Sequence, residues 1–99
     1  MKLFNLESHL HEKDKYMAPL TAFEKTKVVQ IQLTAGNGIP DHMANADLLI
    51  VVQKGIVVFE VAGERVELTP SQMLYMEPKE QHSLQAVDDV ELLLIRVER

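Results

Sequence analysis

Cysteine is absent from the chain of 99 residues, and glycine and proline are scarce, with four of each. Without cysteine the protein has no disulfide framework, no thiolate ligand for a metal and no cysteine nucleophile. The few glycines and prolines fall where turns are needed rather than in a run, so they form no linker or low-complexity block. We therefore expect one domain spanning residues 1–99.

Long hydrophobic runs are also lacking. The longest strictly apolar run, Leu48–Val52, is far shorter than the ~18 residues of a membrane-spanning helix. The N-terminal sequence MKLFNLESHLHEKDK contains no apolar stretch long enough for a signal peptide. Together with the missing cysteine, these features predict a cytoplasmic protein with no membrane partner.

Positive charge is too sparse for a nucleic-acid-binding surface. The chain has 10 Lys and Arg residues against 15 Asp and Glu residues, which gives a net charge of −5. A phosphate-binding surface needs basic residues clustered on one face. Here Lys13, Lys15, Lys25 and Lys27 are interleaved with acids. We therefore expect no nucleic-acid partner.

Alternation of apolar and polar residues is the main signal that the sequence does carry. Val29–Leu33 places aliphatic side chains on one face of a strand and glutamines on the other. Asp47–Val52 reads DLLIVV, which is typical of a strand covered on both faces. No stretch after residue 17 keeps the 3.6-residue period of a helix. The pattern therefore predicts an all-β sandwich or barrel.

This alternation predicts seven strands and the side chains that form the core. The predicted strands are residues 28–33, 47–52, 56–61, 64–68, 72–76, 81–87 and 91–97, and Gly36, Gly38 and Pro40 interrupt the ladder after the first. Ala62-Gly63 is predicted to be a hairpin turn. The side chains expected inside the barrel are Val29, Ile31, Leu33, Ile50, Val52 and Leu84.

Residues 1–16 are the most polar part of the chain, and the barrel core is expected at about residues 28–98. Phe4 and Leu6 alternate like a short edge strand, and Glu7–Tyr16 is predicted to be a helical turn or a loop. A domain of this size buries only roughly two-thirds of its unfolded surface, which favours a homodimer. The predicted contact is an apolar edge strand, either Phe4–Leu6 or Val28–Leu33, because an unpaired edge invites pairing.

The spacing of histidines and glycines resembles that of the cupins, a family of small double-sheet jelly-roll barrels. Their first motif, G-x5-H-x-H-x3-E-x6-G, matches at Gly36, His42 and Gly55, with every gap of the right length. Their second motif, G-x5-P-x-G-x2-H-x3-N, places its histidine at His82. The resemblance covers about residues 28–98. It implies a double-stranded β-helix, or jelly-roll, fold.

Half of the metal ligands that the resemblance implies are replaced. Cupin enzymes hold a metal with three histidines and a glutamate at the inner face of the barrel. Here Ala44 stands for the second histidine and Leu48 for the glutamate. In the second motif Ser71, Glu77, Lys79 and Ala86 replace the glycine, proline, glycine and asparagine, and Pro78 comes one position late.

The resemblance therefore leaves His42 and His82 as the candidate site, predicted to lie close together on facing strands with both side chains pointing inward. No cofactor is predicted beyond a weakly bound divalent metal on this pair, because two neutral imidazoles offset none of the charge of the ion. The pair could instead be structural, or could orient a small ligand in an apolar pocket. The predicted pocket residues are His42, Met43, Ala44, Leu48, Met76 and His82.

Several polar residues stand outside this pair. His9 and His11 form another H-x-H, in a polar stretch that favours a solvated surface, although the segment could fold over the barrel mouth. If a metal is held tightly, the missing ligands would come from His9, His11, Asp47 or Glu77. No serine has a readable base partner, so no catalytic residue is assigned.

Three functions remain open from the sequence. The first is a binding module that holds a small molecule in a sensor or accessory role. The second is a metal-dependent enzyme of the isomerase or dioxygenase type with an atypical ligand set. The third is a structural homodimer with a vestigial pocket. The missing ligands favour the first and the third over the enzyme.

Overall fold

The structure is a computed structural model that describes all 99 residues. It contains nine β-strands and no helix. No helix is therefore available that has the length and apolarity to cross a membrane. The strands are β1 (Lys15–Phe23), β2 (Thr26–Leu33), β3 (Gly38–His42), β4 (Asp47–Lys54), β5 (Val57–Val61), β6 (Glu64–Leu68), β7 (Met73–Met76), β8 (His82–Ala86) and β9 (Val90–Val97). The predicted all-β class is confirmed.

Two antiparallel sheets make up the domain. The five-stranded sheet has the order β1-β2-β9-β4-β7, and the four-stranded sheet has the order β3-β8-β5-β6. Neighbours such as β4 and β9 are distant in sequence, so most of the pairing is long-range. This is the layout of a double-stranded β-helix, as the motif spacing predicts.

The core lies between the inner faces of the two sheets. Five of the six predicted core residues are buried to 5% exposure or less, and the sixth, Val29, packs against them from a half-buried position. Phe59 and Met76 are the largest apolar side chains that join them there. Each fully buried side chain of this size contributes about 1.5–3 kcal/mol relative to an exposed one. The predicted register of the central strands is therefore confirmed.

Two strands were not predicted. β1 follows the predicted polar segment, and its pattern is weak because the strand lies at a sheet edge, contains Pro19 and has a register shift between Pro19 and Thr21. β3 includes Gly38 and Pro40, which the sequence suggested as an interruption. Proline is tolerated there because β3 is also an edge strand, where a missing N–H costs no ladder bond.

The predicted edge strands are wrong. No strand forms at Phe4–Leu6, because the first strand begins at Lys15. Val28–Leu33 is not an edge either, since β2 lies between β1 and β9. Neither place therefore offers an open edge strand in this chain, while the homodimer itself stays a prediction.

The N-terminal segment contacts the outer face of the five-stranded sheet through Glu7 and His9. The Gln32 side chain, 2% exposed, donates from Nε2 to the Glu7 carbonyl oxygen (2.8 Å) and accepts from the His9 backbone N–H (2.8 Å). Gln32 points away from the core because its neighbours Ile31 and Leu33 point into it. The predicted turn is present, since the backbone N–H groups of Glu12 and Lys13 both donate to the His9 carbonyl oxygen.

Candidate ligand-binding site

His42 and His82 meet across neighbouring strands. They are direct cross-strand partners of β3 and β8, and their ring centroids lie 4.0 Å apart at an interplanar angle of 64°. The two strands belong to one sheet, so the prediction of facing strands is wrong, although the proximity follows from the motif spacing. Only His82 is buried, at 1% exposure, whereas His42 is exposed at the end of the edge strand.

Backbone carbonyls set the tautomer of both rings. Nδ1 of His42 lies 3.0 Å from the Pro40 carbonyl oxygen, and Nδ1 of His82 lies 3.0 Å from the Glu80 carbonyl oxygen. A carbonyl oxygen can only accept, so each Nδ1 carries the proton and donates. In the neutral form each Nε2 therefore presents a lone pair.

The buried Nε2 atom of His82 has no hydrogen-bond partner in the chain. It is the only buried side-chain nitrogen or oxygen in the protein in this condition. An unpaired buried polar group costs about 1–3 kcal/mol, and native structures contain few of them. The atom is thus the feature of this barrel that points most directly to a group outside the chain.

The electrostatics keep the His82 ring neutral. Burial lowers the pKa of His82 below its ordinary value of 6.5, and the neighbouring His42 lowers it further. The hydrogen bond to the Glu80 carbonyl oxygen and the carboxylates of Asp41 and Glu80 act in the opposite direction. Because the net effect is downward, the ring is neutral at pH 7 and its Nε2 can accept a hydrogen bond or bind a cation.

The other predicted pocket residues differ in their placement. Leu48 and Met76 are cross-strand partners of β4 and β7 and are buried to 3% or less. Ala44 packs against the core, and its carbonyl oxygen accepts from the Lys79 backbone N–H (2.8 Å). Met43 instead is 61% exposed and does not line the buried space. The side chains at the two replaced ligand positions are therefore apolar and packed.

None of the substitute ligands joins the histidine pair. No group of three or more His, Cys, Asp or Glu side chains is arranged to hold a metal ion. His9 is held on the outer face of the five-stranded sheet, where it stacks on Tyr16 (centroids 3.9 Å apart), and His11 is exposed beside Glu12. The segment does not fold over the pair.

Neither candidate carboxylate joins the pair in a group that could hold a metal ion. Asp47 accepts hydrogen bonds from two nitrogens of Arg99 (each 2.9 Å) and from Tyr75 Oη. The bonds from Arg99, and then that from Tyr75, lower the pKa of this carboxyl to about 2. Asp47 precedes the buried Leu48 and so lies on the outer face. Glu77 is exposed, in the turn before β8.

A groove of about 310 Å³ lies between the unpaired edges of the two sheets, and neither histidine lines it. Val61 is the cross-strand partner of both His82 and Glu64, so it connects the pair to the groove wall. Residues from β5, β6 and β7 and the turn before β8 line it: Val61, Val66, Leu74 and Tyr75, with the carboxylates of Glu64 and Glu80. Sequence reasoning missed this groove because only the closing of the two sheets brings β6 and β7 together.

Comparison with known proteins places the chain among ligand-binding barrels. The sequence profile described as "AraC-like ligand binding domain" matches residues 28–98, which is most of the chain. No curated protein matches the sequence.

Solved structures with the same fold cover nearly the whole chain. An RmlC-like cupin protein from Desulfovibrio desulfuricans is 25% identical, with 98% of this chain and 96% of that chain covered and a TM-score of 0.87. A cupin with a double-stranded β-helix fold from Methanocaldococcus jannaschii is 15% identical (99% and 91% covered, TM-score 0.82). A cupin domain of an XRE family transcriptional regulator from Enterobacter cloacae is 19% identical (88% and 99% covered, TM-score 0.76).

Proposed function

The chain belongs to the AraC-like ligand binding domain family, and from that premise we propose that it binds a small molecule in a sensor or accessory role. The observation that carries the proposal is the unpaired Nε2 of His82, buried beside His42. A polar group of this kind inside an otherwise apolar barrel is suited to orient a ligand. The cupin domain of the Enterobacter cloacae regulator supports a sensor role by analogy of fold alone.

In this proposal the barrel works without a complete metal site. The donor set supports this, because two neutral imidazole nitrogens remain while Ala44 and Leu48 supply aliphatic side chains where the cupin motif has ligands. With no carboxylate to offset the charge of an ion, we expect divalent ions to bind with micromolar or weaker affinity.

The alternative is a metal-dependent enzyme of the isomerase or dioxygenase type with an atypical ligand set. One observation favours it: both rings have Nδ1 bonded to a carbonyl oxygen, which leaves Nε2 of each ring free for an ion, and the ring centroids lie 4.0 Å apart. Metal-binding histidines are commonly held in this way through their second ring nitrogen.

We further propose that the protein acts as a homodimer. The apolar outer face of the five-stranded sheet supports this, since Leu49 and Ile95 are cross-strand partners there and only half-buried. The cytoplasmic location and the absence of a nucleic-acid partner remain predictions from the sequence.

The function is tested on the intact protein purified without added metal. We expect native mass spectrometry to show a co-purified small molecule and elemental analysis to show no stoichiometric metal. His82→Ala should release the molecule with only a modest loss of folding stability, because it also removes an unpaired buried atom. His11→Ala, at an exposed position outside the site, is the matched control and should retain it. A stoichiometric metal that survives chelation would contradict the proposal and favour the enzyme.

A further inference from the structure

The first six residues form an apolar arm that the rest of the chain does not hold. No hydrogen bond in the protein involves residues 1–6, and the first one along the chain is accepted by the Glu7 carbonyl oxygen. All six residues are exposed, and Leu3 is 86% exposed. Phe4 and Leu6 also belong to the large apolar side chains that lie open to solvent. A run of exposed apolar side chains, unlike an isolated one, is typical of a contact with another molecule.

The groove between β6 and β7 is an open side of the core. Val66 on β6 pairs with the buried Phe59. Leu74 on β7 pairs with the buried Ile50. Both side chains therefore continue the inner face of their sheet to its edge, and no further strand covers them because β6 and β7 each end a sheet. The groove can thus accept apolar side chains from outside the barrel.

The groove also carries negative charge that has no cationic partner. Its lining includes the carboxylates of Glu64 and Glu80 but no lysine or arginine. Neither carboxylate forms an ion pair within the chain. Glu80 is held in place, because its Oε2 accepts a hydrogen bond from the Glu77 backbone N–H (2.8 Å). An apolar segment with a positive charge at one end is therefore complementary to this groove.

We propose that the arm of one copy lies in the groove of a second copy within the homodimer. Alternate side chains of an extended segment point to the same side, which groups Lys2 with Phe4 and Leu6. Phe4 and Leu6 then pack against the apolar wall of the groove, and Lys2, the only charged side chain of the arm, faces its carboxylates. The inference rests on the proposed homodimer and names a contact within it.

The arm and the groove border the same face of the five-stranded sheet. Glu7 and His9 are bonded to Gln32 on the outer face at β2, so the arm leaves the barrel there. Tyr75 pairs with Leu49 on the outer face at β7 and also lines the groove. Three strand spacings, about 14 Å, separate β2 from β7, whereas six extended residues span about 20 Å. Two copies packed through this face therefore hold each arm within reach of the groove of the other.

Cysteine cross-linking tests the contact, because the chain has no cysteine of its own. Full-length Leu6→Cys and Val66→Cys proteins are mixed and oxidised with diamide, so that a disulfide between positions 6 and 66 forms only between copies. We expect this mixed disulfide to form at least tenfold faster than the one between Leu6→Cys and Glu67→Cys. Glu67 is the matched control, since it pairs with Val58 on the outer face of β6 and does not line the groove. Intact-mass spectrometry identifies the mixed dimers.

Charge reversal separates a defined contact from general apolar adhesion. Lys2→Glu should raise the Kd of the dimer about tenfold, because each dimer contains two such contacts and one exposed ion pair is worth about threefold. Lys25→Glu, in the turn between β1 and β2, makes the same change outside the contact and should leave the Kd unchanged. Adding Glu64→Lys to Lys2→Glu should restore the Kd, because the pair is then reversed rather than broken.

Failure of the arm contact is distinct from failure of the homodimer. If sedimentation shows a dimer but cross-linking does not distinguish Val66→Cys from Glu67→Cys, the inference is overturned and the homodimer stands. An intramolecular disulfide in the double variant Leu6→Cys/Val66→Cys, without the mixed dimer, would place the arm in its own groove and overturn the exchange. A co-purified small molecule that shields Val66→Cys would assign the groove to that ligand instead of the arm. A monomeric wild-type protein would overturn both proposals.

Discussion

Lys79 adopts a backbone conformation that residues other than glycine rarely adopt. Its φ of 69° lies in the left-handed region, directly after Pro78. The Glu80 backbone N–H faces the Glu77 carbonyl oxygen at 3.4 Å, as in a four-residue turn. Proline followed by a residue of positive φ is typical of a type II turn, in which glycine is preferred at the third position. The cupin motif has glycine at this position, and the turn explains why glycine is favoured there.

We predict that Lys79→Gly stabilises the protein by about 0.5–1 kcal/mol. Relief of the left-handed strain, about 1–2 kcal/mol, outweighs the larger backbone entropy that glycine loses on folding. The free energy of unfolding is measured by urea titration. Lys54→Gly, at the end of β4, is the control and should lower stability, because glycine there gains no conformational advantage. A loss of stability in both variants would contradict the strain argument.

At the scale of elements, the N-terminal segment is held on the barrel by the side chain of Gln32 and by the stacking of His9 on Tyr16. Gln32 on β2 bonds to the backbone of Glu7 and His9, much as a strand would, although residues 1–14 form no strand. These bonds are almost fully shielded from solvent, since Gln32 is 2% exposed. The segment is therefore docked by side-chain chemistry rather than by a hydrogen-bonded ladder.

We predict that Gln32→Leu releases the N-terminal segment while the barrel stays folded. Hydrogen exchange at the His9 amide should become fast, and the free energy of unfolding should fall by about 1–2 kcal/mol for two lost hydrogen bonds. The matched control is Gln30→Leu, two residues away on the same face and 7% exposed, which makes no hydrogen bond to the segment. Unchanged protection of the His9 amide in Gln32→Leu would show that other contacts hold the segment.

The whole molecule exposes more surface than a compact monomer of its size. Its accessible surface is 6199 Å², which exceeds by about 500 Å² the value of about 5,700 Å² that size scaling gives for its mass. On the outer face of the five-stranded sheet, β4 and β9 present apolar side chains, and Met73 and Tyr75 on β7 are at least half exposed. A standard interface takes roughly 800 Å² from each partner, and a face of this kind is suited to supply it.

We predict a homodimer that forms through this face rather than through a sheet edge. Sedimentation at micromolar concentration should show a dimer, and Ile95→Lys should convert it to a folded monomer by placing a charge in the contact. Gln85→Lys adds the same charge to the outer face of the four-stranded sheet and should leave the dimer intact. A monomeric wild-type protein, or a dimer that tolerates Ile95→Lys, would contradict the prediction.

Local periodicity was enough to determine the class of fold and the central strands. Ile31, Leu33, Ile50 and Val52 were placed correctly in the core because successive side chains of a strand point to opposite faces, whatever the partner strand is. The resemblance to the two cupin motifs, which have their histidines at His42 and His82, likewise predicted that the two rings lie close together.

Only the tertiary structure decided which strands are edges, which histidine is buried and what surrounds the pair. β1 and β3 were missed because both are edge strands that contain proline and have no fully buried residue, so their alternation is weak. His42 and His82 have the same local geometry, yet one is exposed and the other is buried because β3 lies at the edge and β8 inside the sheet. Pairing between distant strands sets these environments, and no local pattern of residues encodes it.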